Sequence, residues 1–252
     1  MSGEHQAGTG AGAEPATLGV DIWRGRADGR FERFVVPALK NQTVLDVVTY
    51  VQRHLDASLA YRFACRVGMC GSCAMTVNGR PRWTCRSHVE VAARAGRLEI
   101  APLANLPVIR DLVVDMAPFF AKWGAARGRF VPPRAGSDAI TRIDPRSSER
   151  LAASAAIECI NCAVCHSACD VVRWRTDYLG PAALNRAWAA WNDVRDGDRA
   201  GVLEAVGGPA GCHNCHTHQS CAAHCPLGLD PTRSIAGLKR TSVDAGRSGA
   251  RS

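Results

Sequence analysis

Apolar and polar residues alternate through positions 18–24 and again through 31–37, with Ala27-Asp28-Gly29 between the two runs. A period of two broken by a turn signal predicts a β-hairpin. The period then changes: Val44, Val47, Val48, Val51 and Leu55 recur at helical spacing behind Thr43, a residue suited to cap a helix start. That helix should lie across a small sheet. Positions 74–77 read as a strand, Asn78-Gly79 as a tight turn, 83–86 as the returning strand and 98–102 as a further one. Strand, strand, helix, strand, strand, strand is a compact α+β arrangement with the helix packed on one face.

Further on the pattern turns helical. Ile109, Leu112, Val113, Met116, Phe119 and Phe120 form one apolar stripe, predicting a helix that links two halves of the chain. Pro132, Pro133, Gly136 and Pro145 then mark an extended connection. Helices are expected over about 148–157, 181–195 and 199–206, with Pro181 in a first helical position where its missing N–H costs nothing. A last helix begins where Asp230 can cap and Pro231 can occupy the first turn, and runs to about Ser242. The expected organisation is a disordered tail over 1–16, a first domain with its linking helix over 17–124, a connection over 125–146, a helical domain over 147–243 and a flexible tail over 244–252.

The composition narrows the function. A chain of 252 residues with 46% hydrophobic residues suits two domains of roughly 100 residues each. The first residues contain no apolar run of the secretory kind. The longest apolar stretch, 109–120, is interrupted by Arg110, Asp111 and Asp115 and falls short of the roughly 20 residues that a bilayer demands. Net charge is +8, almost all from arginine, with no basic stripe interleaved with aromatic residues, so nucleic acid is not an expected partner. With no secretory signal, the 12 cysteines read as thiolate ligands in a reducing compartment before they read as a disulfide framework.

Those cysteines fall at 65, 70, 73 and 85, then 159, 162, 165 and 169, then 212, 215, 221 and 225. The first group has the C-x4-C-x2-C spacing of plant-type [2Fe-2S] sites, with Cys85 as the distant fourth ligand. Gly68, Gly71 and Ser72 let the backbone wrap closely and aim N–H groups at sulfur. Zinc is the competing reading, although its knuckles usually pair two C-x2-C units. The second group has the bacterial C-x2-C-x2-C-x3-C spacing, and Cys215, His218, Cys221 and Cys225 repeat it with a histidine in one cysteine's place. In such paired loops each cluster takes its fourth cysteine from the other loop. Cys159, Cys162, Cys165 and Cys225 then hold a [4Fe-4S] cluster, while Cys169, Cys215 and Cys221 suit a [3Fe-4S] cluster. His218 either ligates a fourth iron, making a histidine-ligated [4Fe-4S] cluster, or fills the vacant corner. Cys212 is left over, and it opens a string from which Cys212, Cys215 and two histidines could instead bind zinc.

From about residue 17 to 243 this arrangement resembles the iron-sulfur subunit of succinate dehydrogenase and fumarate reductase. Beyond the cysteines, the segment from Leu106 to Met116, Gly180-Pro-Ala, Cys225-Pro and Asp230-Pro-Thr-Arg233 look like family signatures. The resemblance implies a β-grasp plant-type ferredoxin domain followed by an α-helical bacterial-type ferredoxin domain. It implies partners too: a FAD-containing flavoprotein subunit at the first cluster, and membrane anchor subunits with a quinone at the three-iron cluster. The chain itself would then be peripheral on the cytoplasmic face of the inner membrane. A soluble two-domain carrier for another flavoprotein, or a zinc-binding interaction module, are the other readings. By the same resemblance Trp174 and His216 shape the quinone site. Asp170 stands where proline is usual, Arg173 where an aromatic residue is, and His218 where an apolar one is, so the quinone pocket or its acceptor is expected to be modified.

Overall fold

In the computed structural model the described residues are 16–93, 95–133 and 140–249. The expected first tail lies outside them except for Ala16, as do residues 134–139 of the expected connection and 250–252 at the other end.

The alternating runs form β1 (Thr17–Arg24) and β2 (Arg30–Pro37), paired antiparallel from Thr17↔Pro37 to Arg24↔Arg30. Then comes α1 (Val44–Tyr50), which continues as a wider turn over Val51–Leu55. Its start is set by a capping box: the Thr43 hydroxyl accepts from the Asp46 N–H, and the Asp46 carboxylate accepts from the Thr43 N–H. Next come β3 (Ala74–Val77), β4 (Arg80–Trp83), the short α2 (Val89–Ala92) and β5 (Arg97–Ala101). The sheet order is β2-β1-β5-β3-β4, with β1 and β5 parallel in the middle. Val20, Ile22, Leu98 and Ile100 face Val44, Val47, Val48 and Val51, all fully buried. At about 2 kcal/mol for each such side chain, this seam is what holds the helix to the sheet.

The returning strand is Arg80–Trp83 and not 83–86, so Cys85 lies in the turn that follows it and not on the strand. Thr84–Arg86 is a 3-10 turn, and both the Thr84 N–H and hydroxyl donate to the Cys73 carbonyl, at 3.3 and 2.8 Å. This ties the fourth cysteine to the loop that carries the other three.

The expected linking helix over 109–120 is corrected. Val108–Arg110 and Val113–Val114 form a two-stranded ribbon, β6 and β7, and α3 begins only at Ala117 and runs to Ala125. Asp111 is the reason. Its side chain is buried and its backbone left-handed at φ +49°; the carboxylate accepts from the Gly25 N–H at 2.7 Å and the Ala60 N–H at 2.8 Å, and pairs with Arg24 at 3.3 Å. A helix through this point would give up all of those bonds.

The second half is helical: α4 (Ser148–Ile157), α5 (Val164–Ser167), α6 (Asp170–Trp174), α7 (Pro181–Trp191), α8 (Arg199–Gly207), α9 (Ser220–His224) and α10 (Pro231–Gly249). Asp230 caps α10 as expected, accepting from the Arg233 N–H at 3.0 Å, but the helix runs well past Ser242. The buried α7 is the hub. Its Asn185 donates to Ala156 of α4 and accepts from Ser234 of α10 at 2.8 Å, satisfying a polar side chain that is 1% exposed. No helix among the described residues is long and apolar enough to cross a membrane.

The halves are joined by a third cluster of buried residues in which Cys73, Trp83, Cys85, Leu103, Leu106 and Phe119 pack against Ala163, Val164 and Ala182. Asn105 reinforces the joint by donating to the carbonyls of His166, Ser167 and Cys169 at 3.0–3.2 Å. Asp111→Ala would remove the acceptor of the Gly25 and Ala60 N–H groups and one of the three carboxylates paired with Arg24, so we expect a loss of about 2 kcal/mol in denaturant unfolding monitored on the first half.

Candidate iron-sulfur centres

The first loop is shaped by its backbone. Arg66, Gly68 and Gly71 take left-handed conformations at φ +59°, +78° and +71°, curling the chain so that the N–H groups of Val67, Met69 and Cys70 lie 3.5, 3.2 and 3.3 Å from the Cys65 sulfur. The Ser72 hydroxyl is 3.0 Å from the Cys70 sulfur. An N–H of Cys65 and this hydroxyl bring the exposed Cys70 thiol down to about 6, favouring the thiolate. Burial and the neighbouring Cys73 push Cys85 up to about 11. The four predicted residues stand together: Cys65 and Cys73 are both electrostatic neighbours of Cys85, and Cys65 is that of Cys70.

The second and third loops are structural repeats. Asn161 and Ala163 are left-handed at φ +58° and +61°; Thr217 and Gln219, 56 residues later, are left-handed at +61° each. α5 and α9 then start at equivalent points. None of the four positions is glycine, so the sequence carries no signal of the turns. In both loops they aim N–H groups at sulfur: Asn161 at Cys159, Val164 at Cys162 and Thr217 at Cys215.

The thiols sort into the two crossed sets. One small cavity is lined by Cys159, Cys162, Cys165 and Cys225 together with Ile160, Ala182 and Pro226. Another is lined by Cys169, Cys215 and Cys221 with Tyr178, His216 and His218. Burial pushes Cys165 well above the ordinary thiol range, with Cys162, Cys159, Cys221 and Cys225 adding repulsion, and pushes Cys221 up to about 11. A space ringed by buried sulfur donors fits a polynuclear iron-sulfur core, whose positive charge lets those thiols ionise. Among the described residues no three such side chains close on one point as a single metal ion requires. The zinc string does not assemble: Cys212 is fully buried in the apolar core with Val206, Ile235 and Leu238, and His213 turns to Ser242 at 3.0 Å.

Around the last set the sequence-predicted residues gather. His218 Nδ1 is 3.8 Å from the Asp170 carboxylate, and the His218 ring lies 6.0 Å from the rings of both Trp174 and His216. Trp174 is 66% exposed, and Arg173 on the same short helix is exposed too. Sequence reading missed three residues at these sites. Tyr178, buried, hydrogen-bonds the Cys215 sulfur; Lys239 donates to the Cys215 carbonyl at 2.7 Å; and Trp83 stands at Cys162.

The first and second sets meet at Gly71. A Cβ there would fall 2.5 Å from the Cys162 Cβ, so only glycine allows the two loops this approach. Gly71→Ala, strained also by its φ of +71°, should cost about 2 kcal/mol or more and lower the melting temperature and iron content of the purified protein.

Comparison with known proteins agrees with this geometry. Residues 19–121 match a 2Fe-2S iron-sulfur cluster binding domain and residues 158–230 a 4Fe-4S dicluster domain. The chain is 36% identical to the fumarate reductase iron-sulfur subunit of Mycobacterium tuberculosis, over 84% of this chain and 86% of that one. It is 34% identical to the succinate dehydrogenase iron-sulfur subunit of Paracoccus denitrificans, over 80% and 76%. Among solved structures it superposes on a chain of the Mycobacterium smegmatis Sdh1 complex in the apo form with a TM-score of 0.81 at 26% identity, covering 92% of this chain and 98% of that one.

Proposed function

The chain belongs to the family of iron-sulfur subunits of succinate dehydrogenase and fumarate reductase, and we propose how its residues divide the work of electron relay. Cys65, Cys70, Cys73 and Cys85 hold the [2Fe-2S] cluster; Cys159, Cys162, Cys165 and Cys225 hold the [4Fe-4S] cluster; Cys169, Cys215 and Cys221 hold the [3Fe-4S] cluster. Bound there, the clusters supply one-electron uptake and release. The observation that carries the assignment is the crossing of the loops, with Cys225 lining the cavity of the second loop and Cys169 that of the third.

The chain's ends suit two different partners. Beside the first loop, Val67 and Met69 are exposed at 60% and 69% with Phe63 next to them, an apolar rim around an exposed Cys70 that a FAD-containing flavoprotein subunit would cover. At the other end Trp174, His216, His218 and Asp170 offer an indole donor, imidazoles and a carboxylate, groups suited to hydrogen-bond a quinone carbonyl beside a membrane anchor. The same reading has the subunit peripheral on the cytoplasmic face of the inner membrane. His218 faces Asp170 with one ring nitrogen, which favours its filling the vacant corner over ligating a fourth iron. The free soluble carrier is less favoured, since the chain spans most of the length of relatives that are named as subunits.

Low-temperature EPR of the isolated complex tests the assignment: about nine irons per chain and an oxidised-state signal near the free-electron position are expected. Cys221→Ser should abolish that signal and leave the reduced [2Fe-2S] signal. A wild-type spectrum lacking it would instead indicate four irons with His218 as ligand. For the acceptor end, His218→Val should alter both the oxidised-state signal and the quinone reductase rate; if neither changes, His218 has no part in that site.

A further inference from the structure

Between residues 57 and 89 the chain holds five arginines, at 62, 66, 80, 82 and 86, and no aspartate or glutamate. Folding gathers three of them around the first cysteine loop. Arg66 belongs to the loop, and its guanidinium lies 4.8 Å from the centre of the Phe63 ring. That ring stacks on Tyr61 at 5.4 Å, and the Tyr61 hydroxyl donates to Thr49 of α1 at 3.2 Å, so two aromatic rings tie the cation to the core of the first half. Arg86 lies across the middle of the loop: a Cβ on Gly68 would fall 3.1 Å from its Cγ. Arg62 lines a groove beside Cys70, Gly71 and Ser72 and is held there by donating to the Val114 carbonyl at 3.0 Å. All three are exposed. Among the described residues no carboxylate pairs with any of them, and Asp115, next to Val114, accepts instead from the Ala117 N–H at 2.8 Å.

We propose that Arg62, Arg66 and Arg86 form a cationic collar that meets an acidic rim on the flavoprotein subunit, and that this contact sets the rate and orientation of docking. The proposal rests on the reading of this loop as the flavoprotein-facing end, and it adds the chemistry of the partner's face. Val67 and Met69 flank Gly68, so a partner that buries them comes down on Arg86 as well. Guanidinium groups pressed against an apolar face would lose their hydration and gain nothing. Carboxylates opposite them replace the lost water with charge-assisted, bidentate hydrogen bonds. One exposed arginine contributes little alone. Three of one sign, with no acid among them, add up to a field that draws an acidic surface in and turns it toward the loop.

The first test is kinetic. Association of the full, cluster-loaded chain with purified flavoprotein subunit should slow several-fold from about 0.01 M to about 0.15 M salt, as the screening length shortens from about 30 to about 8 Å. Arg66→Glu combined with Arg86→Glu should slow it about tenfold at the lower salt and flatten the salt dependence. A wild-type rate indifferent to salt, or an unchanged rate in the doubly substituted chain at full iron content, would overturn the proposal. Should that chain fail to load iron, Arg66→Lys keeps the charge and supplies an amine that a carbodiimide couples to a touching carboxylate in the assembled complex. A link from this side chain to an aspartate or glutamate of the flavoprotein supports the collar; an intact complex without one sinks it. Failure of the underlying reading looks different. A photo-reactive benzophenone placed at Val67 would then label no flavoprotein peptide, whereas its labelling the flavoprotein alongside a salt-indifferent rate removes the acidic rim alone.

Discussion

Thiolate sulfur held away from water is the constraint on which the rest of this structure depends. A cysteine must lose its proton to ligate iron, and burial opposes that loss. Cys165, with other thiols on every side, is pushed furthest from the ionised form, and Cys221 and Cys85 are pushed up to about 11. An apolar interior cannot hold so many thiols as anions unless a cation sits among them. Folding of the second half and loading with iron are therefore parts of one equilibrium. What the protein itself contributes is a supply of fixed donors: backbone N–H groups at Cys65, Cys159, Cys162 and Cys215, the Ser72 hydroxyl at Cys70, and Tyr178 at Cys215.

Those donors explain why loops that lack regular structure are the most constrained parts of the chain. Each loop turns through left-handed residues so that successive N–H groups face inward. In the first loop two of these residues are glycine, which takes the conformation freely. In the second and third they are Asn161, which tolerates the conformation, and Ala163, Thr217 and Gln219, each of which stores strain of about 1–2 kcal/mol. Short helices follow at once and hold the strained turns in place, while α7 and α10 pack behind them. The joint between the halves obeys the same logic at larger scale. Gly71 admits the Cys162 backbone, and Asn105 donates across the interface to the carbonyls of His166, Ser167 and Cys169.

Much of this was legible in the sequence, for a physical reason that also marks where legibility ends. The β1-β2 hairpin, α1, α4 and the start of α10 follow from local periodicity and from caps built by neighbouring residues, so a short window contains what determines them. The crossed grouping of the cysteines was equally accessible, since ligand spacing is a local property and the crossing follows from the pairing of two similar loops. The segment 109–120 misled because Ile109, Leu112, Val113 and Met116 do satisfy a helical period. What breaks that helix is the Asp111 carboxylate, whose partners Arg24, Gly25 and Ala60 lie 51 or more positions away in the chain. Trp83 and Tyr178 were opaque in the same way. Nothing near either residue in sequence announces that Trp83 packs in the joint with Cys162 or that Tyr178 lies against Cys215.

The two ends of the relay differ in a way that bears on what each can accept. At the first loop the exposed apolar side chains are Val67, Met69 and Phe63, so a partner gains by burying them. At the third loop the exposed groups are mostly polar or titratable: Arg173, His216 and His218 are exposed, the half-buried Asp170 faces His218, and the Trp174 ring lies 6.0 Å from that of His218. An apolar protein face alone would leave these groups desolvated and poorly paired, a cost that grows with each one buried. A ligand carrying its own oxygen acceptors, set in a polar pocket, avoids that cost and uses the donors that Trp174 and the histidines provide. Where Asp170 and His218 replace the proline and apolar residue expected in the family, they make the pocket more polar and add a pair of opposite charges whenever His218 is protonated. On the proposed assignment, such a pair beside Cys169 and Cys215 would act on the charge of the bound cluster as well as on the acceptor, which would join specificity and potential at this end in the same few side chains.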